Sequence, residues 1–217
     1  MARPRAADHF DKRNAILAQA AELFARHGYD RASLAMIAQA AGVSKALVYH
    51  YWRDKEEMLF DVLAQHLQHL VEIARAAATP GRPPLAQLES LAFALLDAYR
   101  DADAVHRVQI ACLPLLSPDR QEALRALERA LVAEAAAIVA EMHPRITSEG
   151  LLLKPLTMSF FAMLNWHYLW HREDGPLTRQ DYAAMVATLI AAGAPSVIEL
   201  FAGGAEAMAQ RRGSDEA

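Results

Sequence analysis

The chain has 217 residues, 54% of them apolar and 22% charged, with a net charge of −4; that length supports one large or two small domains, and no uninterrupted apolar run approaches the ~18–20 residues that span a bilayer. The single cysteine, Cys112, excludes an internal disulfide, and no basic stretch followed by an apolar one opens the chain, so the expected location is the cytoplasm, with no membrane partner. The overall acidic balance argues against a nucleic-acid partner, but residues 1–60 carry +2 and residues 61–217 carry −6, so positive charge gathers towards the N-terminus.

Arg3, Arg5, Lys12 and Arg13 form a basic arm. It reads either as a group that neutralises phosphates or as a solvated tail, and both readings stay open for Arg3 and Arg5. A first helix is predicted over about Asp11–His27, with Ile16, Ala20, Leu23, Phe24 and His27 on one face and Gly28 as its stop. Ser33 is a good N-cap for a short second helix in which Leu34, Ile37, Ala38 and Ala41 fall at i, i+3, i+4 and i+7. Gly42 ends it, because glycine accepts the left-handed backbone needed for a sharp turn. Ser44 caps a third helix, Lys45–Tyr51. That helix turns Val48 and Trp52 inward and leaves Lys45, Ala46, Leu47, Tyr49, His50 and Tyr51 outside. Phenol, imidazole and ammonium groups on so short a helix suit a DNA major groove, where they reach phosphates and base edges.

The segment ARHGYDRASLAMIAQAAGVSKALVYHYWRDKEEML, Ala25–Leu59, resembles the DNA-binding domain of the TetR family of bacterial transcriptional regulators. The resemblance rests on the glycine and aromatic after the first helix, Ile-Ala in the second, Ala-Gly-Val-Ser at the turn, and Tyr-x-x-aromatic ahead of Lys-Glu. Two positions depart from the family pattern. Leu47 stands where a small or hydroxylated residue is usual, which shifts base contacts towards thymine methyls, and Trp52 stands where Phe is usual, which alters packing. The resemblance implies a homodimer that binds a palindromic operator in double-stranded DNA through Lys45–Tyr51, as a repressor released by a small-molecule effector. The expected DNA contacts are Arg3, Arg5, Ser33, Ser44, Lys45, Ala46, Leu47, Tyr49, His50, Tyr51 and Lys55. Lys55 opposes the dipole in the first turn of a fourth helix, at a local cost of ~0.3 kcal/mol, which a phosphate at that terminus would explain.

Asp54 caps this fourth helix, with Glu57 completing a variant capping box, and the helix runs to about Ala78 with Leu59, Val62, Leu63, His66, Leu70 and Ile73 inward. Proline and glycine between Thr79 and Pro84 break the helical pattern. Further helices are predicted over Leu85 to about Arg100, Ala104 to about Leu113, and from Ser117-Pro118 to about Met142. Leu151–Arg172 reads as one helix, apolar almost all round, with Phe160, Leu164, His167 and His171 on one face. Thr178 with Asp181 starts the last helix, which Gly193, Pro195, Gly203 and Gly204 disturb or end. No β-hairpin signal occurs, so the fold class is all-α. The expected division is a three-helix helix-turn-helix domain at 1–54, a helical ligand-binding and dimerisation domain at 55–205, and a disordered tail at 206–217. The last two helices of each subunit would form the dimer interface, a four-helix bundle.

Phe161–Thr178 resembles the Asn-Trp-x-x-x-Trp-x-x-x-Asp-Gly stretch of a TetR-like subgroup that responds to acyl-CoA thioesters. An acyl-CoA or aryl-CoA effector is therefore expected; the alternative is a hydrophobic drug whose efflux or detoxification is under control. The expected effector residues are His66, His69, Tyr99, His106, Gln109, Leu113, Phe160, Leu164, Asn165, Trp166 and Trp170, large apolar groups around a few polar ones. His66 with His69, and His167 with His171, have spacings a metal could use, but nothing supplies the remaining ligands, so neither a metal nor a cofactor is expected. No Gly-x-Ser-x-Gly elbow, phosphate loop or Cys-base pairing is present, so an enzyme is not expected and a helical-bundle enzyme is the remote alternative.

Overall fold

A computed structural model describes the backbone of residues 4–215 except 80, 101, 150 and 173; side chains are described over that range except at 4–10, 103, 110, 147–149 and 202–215. The described residues form helices joined by short turns, with no strand, so the chain is all-α. The helices are α1 Pro4–His27, α2 Leu34–Ala40, α3 Lys45–Tyr51, α4 Lys55–Ala77, α5 Pro84–Tyr99, α6 Asp103–Cys112, α7 Pro118–Met142, α8 Pro144–Glu149, α9 Leu153–Asn165 and α10 Arg179–Asp215. Tight three-residue turns follow α6 at Leu113–Leu115 and α9 at His167–Leu169.

Two compact units result, one of Met1–Val71 with Tyr99–Arg129, the other of Glu72–Ala98 with Ala130–Ala217. The first has a core of Ile16, Phe24, Ile37, Val48, Trp52, Met58, Leu59 and Leu63, to which Val108 and Cys112 of α6 and Leu124 of α7 contribute. The second buries Leu88, Leu91 and Leu95 of α5, Ile138 and Val139 of α7, Phe160, Phe161 and Leu164 of α9, and Tyr182, Val186 and Ile190 of α10.

Local signals account for the first helices. The Ser33 hydroxyl accepts from the Met36 N–H and the Ser44 hydroxyl from the Leu47 N–H, both at 3.2 Å. Between them Gly42 adopts φ 65°, the Val43 N–H reaches the Ala38 carbonyl at 3.0 Å and the Gly42 N–H the Gln39 carbonyl at 3.2 Å. This crossed pair satisfies the carbonyls that a helix end leaves open and fixes the angle at which α3 departs. At α4 the Asp54 carboxylate accepts from the Glu57 N–H at 2.7 Å while the Glu57 carboxylate reaches back to the Arg53 N–H at 2.8 Å. At α10 the Thr178 hydroxyl accepts from the Asp181 N–H and the Asp181 carboxylate from the Thr178 N–H, at 3.1 and 3.0 Å.

Three expectations are corrected. His27, expected on the packed face of α1, is exposed, because that face ends at Phe24 and Gly28 turns the chain away one residue later. The helix expected over Leu151–Arg172 stops at Asn165. The Tyr182 hydroxyl donates to the Met163 carbonyl at 3.0 Å, competing for an acceptor that the next helical turn would use. Meanwhile α10 does not end near Gly193, Pro195 or Gly203; it continues to Asp215, with a backbone helix over part of the expected disordered tail. Proline inside a helix costs ~3 kcal/mol, and here Ile190, Ala194 and Ile198, buried on both sides of Pro195, hold the helix together. The stretch Arg179–Phe201 is long and apolar enough, by length and composition alone, to cross a bilayer, while the expectation of no uninterrupted apolar run holds there, since Thr188, Gly193, Pro195 and Ser196 break it.

Candidate functional site

The face of α3 carries the strongest functional chemistry. Val48 and Trp52 are fully buried and anchor the helix, while Lys45, Ala46, Tyr49 and His50 are exposed, Tyr49 to 58%. Leu47 and Tyr51 are half-buried. The Tyr51 ring packs between His50 and Trp52, with ring centres 5.6 and 5.2 Å away. Packing on both sides holds its phenol at the rim of the reading face. Ser33 and Ser44, at the starts of α2 and α3, use a hydroxyl lone pair for capping and keep the O–H proton for an outside acceptor. These groups can donate to phosphate oxygens from two helix N-termini while the side chains of α3 meet base edges. Arg3 and the Arg5 side chain lie outside the described residues.

The structure gives two of the expected basic groups other work. Lys55 does not extend outward: its ammonium donates to the carbonyls of Tyr29, Asp30 and Ala32 at 2.6, 3.2 and 3.1 Å and lies 4.2 Å from the centre of the Tyr29 ring. An ammonium has three protons, and three carbonyls of the α1–α2 loop take them. Lys55, expected at a phosphate, here fastens the α1–α2 loop. Arg13 belongs to no arm; it pairs with Asp61 of α4 at 2.5 Å and stacks over the Trp52 ring at 5.6 Å. Asp61 also accepts the Trp52 indole N–H at 2.7 Å.

The expected effector residues fall into two groups, one in each unit. In the first, His66 is half-buried and its Nε2 is buried with no hydrogen-bond partner. Burial, with like charge from His106 and His69, pushes its pKa down to about 4, so the ring is neutral near pH 7. Tyr99 and His106 are half-buried neighbours, ring centres 5.9 Å apart, and burial raises the Tyr99 phenol. Gln109 spends its amide on Glu128 at 2.7 Å, Leu113 is half-buried at the turn after α6, and His69 faces outward. His69 therefore does not join the buried group, because it lies three residues on from His66 and past the packed stripe of α4.

In the second unit Phe160 and Leu164 are core residues and Asn165, the last of α9, has a buried Oδ1 with no partner. Trp166 and Trp170 are exposed to 58% and 50%, so they face outward from this unit instead of lining an interior as expected. Since α9 ends at Asn165, the two tryptophans flank the short turn His167–Leu169 instead of standing on a continuous helix. In their place His167 is buried among His171, Tyr182 and Trp170, with ring centres 4.2, 4.8 and 5.1 Å away. The sequence places Tyr182 only in an apolar stripe; the ring nearest in sequence that it packs against, Trp170, lies twelve residues earlier, too far for a local signal. Among the described residues no group of three or more His, Cys, Asp or Glu is placed to hold a metal.

Two sequence families match the chain: "Bacterial regulatory proteins, tetR family" over residues 16–62 and "Tetracyclin repressor-like, C-terminal domain" over residues 81–194. A TetR-family transcriptional regulator from Bordetella parapertussis 12822 is similar in structure, with TM-score 0.74 and 32% identity over 82% of this chain and 93% of that one. The structure of AibR in complex with isovaleryl coenzyme A and operator DNA shares the fold, with TM-score 0.67 and 22% identity over 82% of this chain and 97% of that one. The HTH-type transcriptional repressor KstR2 of Mycobacterium tuberculosis is 24% identical over 84% of this chain and 92% of its own length. With the paired helices, the capped turn between them and the outward face of α3, these matches make the chain a member of the TetR family of DNA-binding bacterial transcriptional regulators.

Proposed function

We propose that the protein is a homodimeric repressor whose α3 reads a palindromic operator and whose release from DNA is triggered by an acyl-CoA or aryl-CoA thioester. The reading face is the observation that carries the DNA half: a seven-residue helix anchored by Val48 and Trp52 with Lys45, Ala46, Tyr49 and His50 turned to solvent. Ser33, Ser44 and Tyr51 contact phosphates beside it, and Ala46 with Leu47 offers methyl groups to thymine. Two such helices enter successive major grooves only when held ~34–36 Å apart, which requires symmetry. The dimer forms through α9, the turn after it and α10, whose outward side chains include Met158, Trp166, Leu169, Trp170, Met185 and Leu189. An apolar surface of that extent calls for a cover.

The effector half rests on His66. A neutral imidazole with a buried, unpartnered nitrogen, near His106, can donate an N–H to a ligand carbonyl such as that of a thioester. AibR, of the same fold, was solved with isovaleryl coenzyme A and operator DNA, which supports testing this ligand class first. The experiment is a mobility-shift titration of a duplex selected from a random pool by the protein itself, using acyl-CoA and aryl-CoA thioesters beside their free acids. Release by thioesters alone is expected. Release by free acids or apolar drugs at equal concentrations would replace this reading with a multidrug-type pocket.

A further inference from the structure

The C-terminal end of α3 is tied to two other helices through a single carboxylate. Trp52, the residue that terminates α3, donates its indole N–H to Asp61 Oδ2 at 2.7 Å. The same oxygen accepts Arg13 of α1, whose guanidinium also lies 5.6 Å from the centre of the Trp52 ring. The indole ring is fully buried, whereas the side chains of Asp61 and Arg13 keep 25% and 31% of their surface. Both also line an open groove of about 490 Å³ beside Phe60, Ala64, Gln65 and Leu127. Apolar packing alone would hold a phenylalanine at this position as well, but a phenyl ring has no donor. The bond therefore adds direction to what packing supplies in bulk: it fixes the rotation of the Trp52 ring and, through its backbone, the roll of the seven-residue helix that precedes it. A short helix with one cap at each end has few other restraints on that roll, since only Val48 of its own residues is buried.

We infer that Trp52 and Asp61 are positioning residues for sequence discrimination: the indole–carboxylate bond, steadied by Arg13, sets the angle at which Lys45, Ala46, Leu47 and Tyr49 meet base edges. The inference rests on the proposal that α3 reads DNA, and it assigns a role that the position's packing does not explain. Base readout depends on angle because paired hydrogen bonds to base edges tolerate little rotation, whereas phosphate contacts by flexible side chains tolerate more. Loss of the bond should thus lower discrimination between sequences and leave non-specific binding in place.

The test compares binding to a duplex selected by the wild-type protein with binding to a scrambled duplex, for W52F, D61L, D61N and W52F/D61L, with melting temperature recorded for each. W52F and D61L should each lower the ratio of the two affinities about tenfold, the size expected for a hydrogen bond to a charged acceptor. The double variant should be no worse than D61L, because both single changes remove the same bond. D61N, which keeps an acceptor oxygen for the indole, should restore most of the ratio. Non-specific affinity and its salt dependence should stay as in the wild type. Equal losses on both duplexes, losses that multiply in the double variant, or an unchanged ratio in W52F would overturn the inference. If D61L does not fold, W52F against D61N decides. A wild-type protein that fails to discriminate any duplex would instead remove the proposal about α3, so the two failures are distinct.

Discussion

The Lys55 ammonium lies 2.6 Å from the Tyr29 carbonyl oxygen and 4.2 Å from the centre of the same residue's ring. One side chain thus closes the α1–α2 loop with three charged hydrogen bonds and a cation–π contact. Lys55→Ala should destabilise the protein by ~1–3 kcal/mol, the range for charged hydrogen bonds in a partly exposed setting. It should leave the slope of log K against log salt close to the wild-type value. Lys45→Ala, on the open face of α3, should instead relax the preference for one DNA sequence over another. Chemical denaturation and a salt titration of DNA binding check the first variant, affinities for duplexes of different sequence check the second, and a flattened slope for Lys55→Ala would return that residue to the phosphates.

Gly42 turns the chain with φ 65°, and a Cβ built there meets nothing within 4 Å. The only penalty for alanine is therefore conformational. Gly42→Ala should cost ~1 kcal/mol and still fold, as read from the denaturation midpoint. A loss several times larger would mean that α2 and α3 pack more tightly at the turn than the open space indicates.

His66 titrates near pH 4 in the folded chain against 6.5 when free. The unfolded chain binds a proton first as pH falls, so the folded state is unpenalised above about 6.5 and loses stability down to about pH 4, below which this contribution is flat. The loss is of order 1–3 kcal/mol. Melting temperatures of the wild type and His66→Gln from pH 7.5 to pH 4 should converge on acidification if His66 is a main source of this slope. Parallel curves would show that its burial is relieved in solution.

Met185 and Leu189 stand on α10 with 42% and 53% of their surface exposed. Under the proposed assembly they are covered by a second copy, so Leu189→Glu should place a charge in an apolar interface and give monomers at micromolar concentration. Operator affinity should fall steeply with it, since one α3 reads only half a site. Light scattering after size-exclusion chromatography tests this, and an intact dimer would move the interface elsewhere.

The starts and stops of α2, α3 and α4 were legible in the sequence because each is decided within one or two helical turns. Ser33, Ser44 and Asp54 cap helices three residues downstream, and Gly42 is the residue that can take the left-handed turn. The inward side of α3 followed as well, since periodicity places Val48 and Trp52 together. What tertiary structure alone decided lies at longer separations. Lys55 was drawn away from the outside by Tyr29, 26 residues earlier, and Arg13 was drawn to Asp61, 48 residues later. Tyr182 reached 19 residues back to Met163 at the end of α9, and packing around Ile190, Ala194 and Ile198 carried α10 through Pro195. Long, charged or hydroxyl-bearing side chains can satisfy their hydrogen bonds with several neighbours of similar energy, so a sequence states which bonds they are able to make; the packing of distant helices selects the one that is made.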